Sequence, residues 1–215
     1  MILAIDTTRE FGSLALLDGD RLLEEVLLHE PGGFAQVLFP RIAQLLERHG
    51  LPVQAIECFA GAAGPGSFTG VRVGLACVKG LASALGKPAY AVSSLEAVAR
   101  HGSAPLRAPF FDARRGEVYA GLYWADGSPA GDEVVAPLPA WLASLPDGAE
   151  AVTPDTEPFA SALDGRAWSG APRAIAGTVA RIAAERLAAG RPGDPAAIDA
   201  NYVRRADAEL MWRDR

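Results

Sequence analysis

The sequence predicts an α/β protein built from two copies of one strand-and-helix pattern. Three observations carry that prediction. Apolar residues run in short strand-like blocks, switch to helical spacing and switch back. A strand, an Asp, a glycine turn, a second strand and an Asp-Gly pair occur twice. They are Ile2–Ile5, Asp6, Gly12, Ser13–Leu17 and Asp18-Gly19, then Ala108–Phe111, Asp112, Gly116, Glu117–Trp124 and Asp126-Gly127. The 215 residues are 50% hydrophobic, enough to bury a full core, and fit one domain or two small lobes.

Each element follows from its residues. The apolar run 2–5 ends at Asp6-Thr7-Thr8. Ser13–Leu17 follows, Asp18-Gly19-Asp20 signals a hairpin, and Arg21–Leu28 is a third strand. Phe34–Arg48 changes period. Leu38, Ile42, Leu45 and Leu46 share a helical face, and Gly50 and Pro52 stop the helix. Ala55–Ala62 is strand-like. The glycine-rich loop Gly64–Gly70 leads into a helix over Val71–Leu85, ended by Gly86 and Pro88. Ala89–Val92 is a short strand. Ser93 and Glu96 have capping-box spacing for a helix ending near His101-Gly102. Beyond the second strand-and-turn pattern, Pro129–Pro172 holds one strand, Ala149–Val152, and short helices. Ile175–Leu187 is a helix with Ile175, Val179, Ile182 and Ala183 on one face. The tail from Asn201 receives no assignment. Three strands, a helix, a strand and a helix form a ribonuclease-H-like order. Its second use points to the actin, Hsp70 and sugar-kinase type of fold. The expected division is 1–104 for the first lobe and 105–215 for the second, with the tail able to pack back on the first.

Composition narrows the function. A net charge of −6 argues against a free-standing nucleic-acid binder, because phosphate binding depends on clustered Lys and Arg. Two cysteines, Cys58 and Cys77, make no disulfide framework, which fits a reducing compartment. The longest uncharged run, Cys58–Val71, is too short and too rich in glycine to span a bilayer. Met1 leads directly into Ile-Leu-Ala-Ile-Asp without a basic leader. A cytoplasmic protein with no membrane association is expected.

The chemistry-bearing residues leave alternatives open. Asp6-Thr7-Thr8 is either a phosphate-cupping turn or a hairpin end capped by Asp6. Glycine is usual beside such a phosphate turn, and threonine stands there. Gly64–Gly70 lacks the Gly-Lys-Ser/Thr of a P-loop. It either offers a helix N-terminus to an anion or simply shapes a sharp strand-to-helix turn. Gly70, Gly74, Ala76, Cys77, Gly80 and Ala84 put small residues at three- and four-residue spacing. Glycine costs about 1 kcal/mol against alanine inside a helix, so a close approach must compensate. That approach is either the protein's own sheet or a helix of another subunit, and the second reading is preferred. Leu38, Ile42, Val71, Val73, Gly74, Cys77, Val78, Gly80 and Leu81 are the expected interface. Asp112 and Glu117 flank Arg114 and Arg115 in a cluster that either grips a phosphate or neutralises itself in solvent. His29, His49 and His101 form no helical ligand pair, and no Gly-x-Ser-x-Gly elbow occurs. No catalytic residue, metal or cofactor is therefore assigned.

Four stretches resemble the bacterial TsaB (YeaZ) family. They are Ile-Leu-Ala-Ile-Asp-Thr-Thr (2–8), Gly-Pro-Gly-Ser-Phe-Thr-Gly-Val-Arg-Val-Gly (64–74), Val-Ser-Ser-Leu-Glu-Ala-Val-Ala (92–99) and Asp-Ala-Arg-Arg-Gly-Glu-Val-Tyr (112–119). Asn201-Tyr202-Val203-Arg204 is similar to the family's ending. The resemblance implies two actin-like lobes, the second reduced. It also implies a part in making threonylcarbamoyladenosine beside the tRNA anticodon. In that family the subunit is not the transferase. It pairs with the metal-holding TsaD paralogue, the TsaE ATPase joins the pair, and members homodimerise through first-lobe helices. Many members carry a His where this chain has Phe34, so no metal is inferred there. The resemblance further implies that tRNA is reached only through the complex, and that any nucleotide binding is weak and confined to it. Asp6, Thr7, Thr8 and Asp112 are then vestigial phosphate turns. The rival expectation is an active ATP-dependent phosphotransferase or ATPase using Asp6 and Asp112. Arg204, Arg205, Arg213 and Arg215 either contact phosphates in a complex or are balanced surface charges.

Overall fold

The computed structural model describes residues 1–203. Arg204, Arg205, Arg213 and Arg215 lie outside the described residues. The described residues divide into two compact units, Met1–Ser94 with Arg173–Ala200, and Leu95–Pro172 with Asn201–Val203.

The first unit begins with three strands, β1 (Ile2–Asp6), β2 (Phe11–Asp18) and β3 (Arg21–His29). Helix α1 (Leu38–Arg48), β4 (Cys58–Ala62), α2 (Phe68–Leu85) and β5 (Ala89–Val92) follow. The sheet order is β3-β2-β1-β4-β5. β1, β2 and β3 pair antiparallel, and β4 and β5 continue parallel from β1. Helix α2 starts earlier than the apolar periodicity suggests, because Ser67 Oγ accepts from Gly70 N at 3.3 Å and caps it. It ends at Gly86, whose φ of 62° lies in the left-handed region. One apolar cluster joins Leu3, Ile5, Leu14, Leu16 and Phe59 of the sheet to both helices.

Helix α3 (Ser94–Ala99) leads into the second unit. That unit holds β6 (Leu106–Asp112), β7 (Glu117–Ala120), β8 (Tyr123–Trp124), β9 (Val134–Pro137), α4 (Leu138–Ala143), β10 (Ala149–Thr153), α5 (Thr156–Leu163) and β11 (Trp168–Gly170). Read from one edge, its order is β9-β7-β6-β10-β11, the order of the first sheet. The directions match too, antiparallel through β9, β7 and β6, then parallel through β10 and β11. The internal repeat read from the Asp-bearing hairpins is thus a repeat of topology, and the fold is α/β of the actin-like type. The second copy is the smaller in its helices: α4 and α5 have 6 and 8 residues, against 11 and 18 for α1 and α2. The single strand expected over 117–124 is two, since β7 stops at Ala120 and β8 pairs with β6. Glu150 ties this unit's entry segment to β10. Its carboxylate accepts from Ser103 N (2.6 Å), Ala104 N (2.7 Å) and the Ser169 hydroxyl.

Helix α6 (Ala176–Ala188) belongs to the first unit and packs on β1, β2, β4 and β5. The division expected at 104/105 therefore differs from the observed one, which falls at 94/95 and again at 172/173. The reason is apolar burial. Val179, Ile182 and Ala183 leave water on the sheet, each larger side chain contributing about 1.5–3 kcal/mol. Helix α6 has no capping side chain of its own. Ser13 Oγ accepts from Ile175 N (3.1 Å) and Ala176 N (3.0 Å), and Glu25 Oε1 accepts from Gly177 N (2.7 Å).

Candidate functional site

Asp6 closes β1 and is fully buried with Thr8. Its Oδ1 accepts from Thr8 N (2.9 Å) and Thr8 Oγ1 (2.7 Å), a side-chain turn that consumes the amide a phosphate would need. The glycine-rich loop then closes on the turn. Ser67 N donates to Thr8 O at 2.7 Å, and Thr7 Oγ1 donates to Gly70 O at 2.7 Å. A Cβ on Gly66 would overlap Thr8 O, one on Gly70 would overlap Thr7 O, and one on Gly74 would overlap Thr7 Oγ1. These glycines admit the threonines of the turn. Asp6 Oδ2 is buried without a hydrogen-bond partner, and Arg9 Nη2 stands 4.0 Å from it.

Asp112 closes β6 in the second unit. Its N–H donates to Asp155 Oδ2 (3.2 Å), its Oδ1 accepts from Arg114 N (2.8 Å), and Arg114 Nη1 lies 3.6 Å from its Oδ2. Arg114 and Arg115 turn the hairpin with left-handed φ of 66° and 58°. Among the described residues no group of three or more His, Cys, Asp or Glu could hold a metal ion. Burial pushes the Cys58 and Cys77 thiols up to about 12, so neither is a ready nucleophile.

Within the chain itself, the expected interface residues are placed as follows. Leu38, Ile42, Val71, Cys77 and Val78 are buried in the unit's own apolar cluster, and Gly74 is buried against Thr7. Val73 and Leu81 are partly buried on the same cluster. Of that set, Gly80 alone faces open space. The physical reason is amphipathicity: the apolar stripe that looks like a docking face is what the sheet needs. The outward stripe of α2 is Phe68, Arg72, Ala76, Gly80 and Ala84, at strict four-residue spacing. Phe68 is 45% exposed, with the Arg72 guanidinium 3.5 Å from its ring centroid. On α1 the outward large residue is Phe39, 58% exposed. The sequence reading missed Phe39 and Phe68, though the four-residue spacing was available to find the second. It also missed that α2 is long and apolar enough to cross a membrane by composition alone. Its Val71, Leu75, Val78 and Ala82 are packed in the core instead.

Comparison with known proteins gives these features a family. The family model described as "TsaD: tRNA N6-adenosine threonylcarbamoyltransferase" matches residues 33–147, more than half of the chain. The solved structure of YeaZ from Pseudomonas aeruginosa superposes with a TM-score of 0.78 and 30% identity, covering 94% of this chain and 98% of that one. The chain belongs to the TsaB (YeaZ) family. It also falls within the wider TsaD-type group that the model describes. The TsaB protein of Bacillus subtilis is 41% identical over 57% of this chain and 54% of its own length. For Escherichia coli TsaB the values are 36%, 58% and 55%. The chain thus spans about half the length of the curated TsaB proteins it matches. An activator of 2-hydroxyisocaproyl-CoA dehydratase from Clostridium difficile, 7% identical with a TM-score of 0.52, shares the fold.

Proposed function

We propose that this chain is a non-catalytic scaffold subunit that pairs with a TsaD-type paralogue. The reaction is threonylcarbamoyl transfer to the adenosine beside the tRNA anticodon, in threonylcarbamoyladenosine biosynthesis. A TsaE-type ATPase joins the pair, the chain homodimerises when alone, and tRNA is met only through the complex. The setting is the cytoplasm. The observation that carries this reading is the outward stripe Phe68–Arg72–Ala76–Gly80–Ala84 of α2. It offers aromatic area at one end and small residues at the other, the combination that lets a second helix approach closely. The names of the curated relatives support the process. The filled turn supports the absence of turnover, because Thr8 N is already bonded to Asp6. The test is co-purification with the TsaD paralogue after Gly80→Leu. The substitution meets open space among the described residues, so a fold-preserving loss of pairing supports the reading and unchanged pairing rejects it.

A second reading rests on Asp6 Oδ2, a buried carboxylate oxygen without a hydrogen-bond partner. It is an active ATP-dependent phosphotransferase or ATPase of the actin-like fold. Calorimetry with Mg-ATP on the isolated chain separates the two. Micromolar binding abolished by Asp6→Ala favours the second reading, and absence of binding favours the scaffold.

A further inference from the structure

At the outer edge of β5 the first unit carries a hollow of about 400 Å³, whose lining includes no residue of the Asp6 turn or of the outward stripe of α2. Its walls are fixed. The Tyr90 hydroxyl donates to Arg191 O (2.8 Å), Ala89 N donates to Gly193 O (2.9 Å), and Lys79 Nζ donates to Ile198 O (2.6 Å). Those bonds strap 191–198 across the edge of β5. Gly193 is glycine because a Cβ there would meet Pro88 and the Tyr90 ring. Arg186 reaches from α6 and donates from Nη1 to Ala91 O at 2.6 Å, which fixes its guanidinium at the rim. Arg191 is also among the residues that line the hollow. Asp194 lines the same hollow, its Oδ1 accepting from Ala196 N (2.8 Å). The floor is apolar: Ala89, Ala91 and Ile198.

We propose that this hollow binds a small phosphate monoester carrying hydroxyl groups. Two arginines among the lining residues match a phosphate, for which arginine's planar fork of donors is suited. The Asp194 carboxylate and the Tyr90 phenol oxygen are acceptors for ligand hydroxyls. The volume exceeds that of a bare ion and falls within the range of small-ligand sites, with an apolar floor for the body of the ligand. The site shares no residue with the outward stripe of α2, so it stands independently of the scaffold reading.

The test titrates the full chain with ribose 5-phosphate, ribose and inorganic phosphate, followed by amide chemical shifts and calorimetry. Ribose 5-phosphate saturates, with shifts centred on Ala89 and Ala91, and ribose does not bind. Arg191→Gln weakens binding about tenfold or more, the loss of one charge-assisted contact. That side chain is exposed, and the Tyr90 bond is to its backbone, so the variant keeps the fold. Failure to saturate, shifts centred elsewhere, or unchanged binding in Arg191→Gln overturns the site. Inorganic phosphate binding as tightly as ribose 5-phosphate overturns the assignment of an ester.

Discussion

Thr7 Oγ1 donates to Gly70 O at 2.7 Å and occupies the space that a side chain on Gly74 would fill. Helix α2 is therefore notched for the first turn of its own sheet, and its glycines divide into two kinds. Gly70 and Gly74 answer an internal need, while Gly80 answers none among the described residues.

That division predicts opposite signs for one substitution. Gly74→Ala overlaps Thr7 Oγ1 and destabilises by about 1–3 kcal/mol, the usual cost of overpacking a closed site. Gly80→Ala meets nothing and stabilises the isolated chain by about 0.5–1 kcal/mol through helix propensity. Denaturant midpoints of the two variants read the difference. Equal effects would remove the distinction.

The N-terminus of α6 depends on a residue far away in the chain. Ser13→Ala leaves Ile175 N and Ala176 N without their shared acceptor and costs about 1 kcal/mol, the ordinary worth of a helix cap. Amide exchange at Ile175 and Ala176 accelerates more than exchange in α2. Uniform acceleration would point to general loosening instead.

Glu150 predicts an acid limb. Burial raises its pKa, but bonds from Ala104 N, Ser169 and Ser103 together outweigh burial and hold it below the ordinary 4.5. A depressed folded pKa gives stability that is present above the unfolded value and lost as pH falls through the folded one. Wild-type stability therefore declines below about pH 4.5, and Glu150→Gln, already less stable at neutral pH, declines less steeply there. Parallel pH curves of denaturant midpoint would show that Glu150 is not the group responsible.

The thiols supply a reporter of global opening. With both pushed up to about 12 by burial, Cys58 and Cys77 resist an aromatic disulfide reagent at pH 8 in the native protein. Both titrate at once in denaturant. Rapid labelling of Cys77 in the native state would reveal that α2 opens locally.

Much of this fold was legible because its signals are local. The two Asp-bearing hairpins, the α1 stripe of Leu38, Ile42, Leu45 and Leu46, and the Gly86 stop all announce themselves within a few residues. Where structure depends on distant partners, the sequence was silent. β11 has three residues, two of them exposed, and pairs only because β10 lies beside it. Helix α4 carries Pro139 in its first turn, a signal that reads equally as a loop. The α2 glycines illustrate the same limit at the candidate site. Close approach was legible, but whether Thr7 or a partner does the approaching is a tertiary fact.

The return of Arg173–Ala200 to the first unit sets an order on biosynthesis. While the ribosome is still making residues before 173, the first sheet has one uncovered apolar side, and Ser13 and Glu25 wait for amides not yet made. The first unit thus completes only after the second has emerged, an inversion of the N-terminal-first rule for tandem domains.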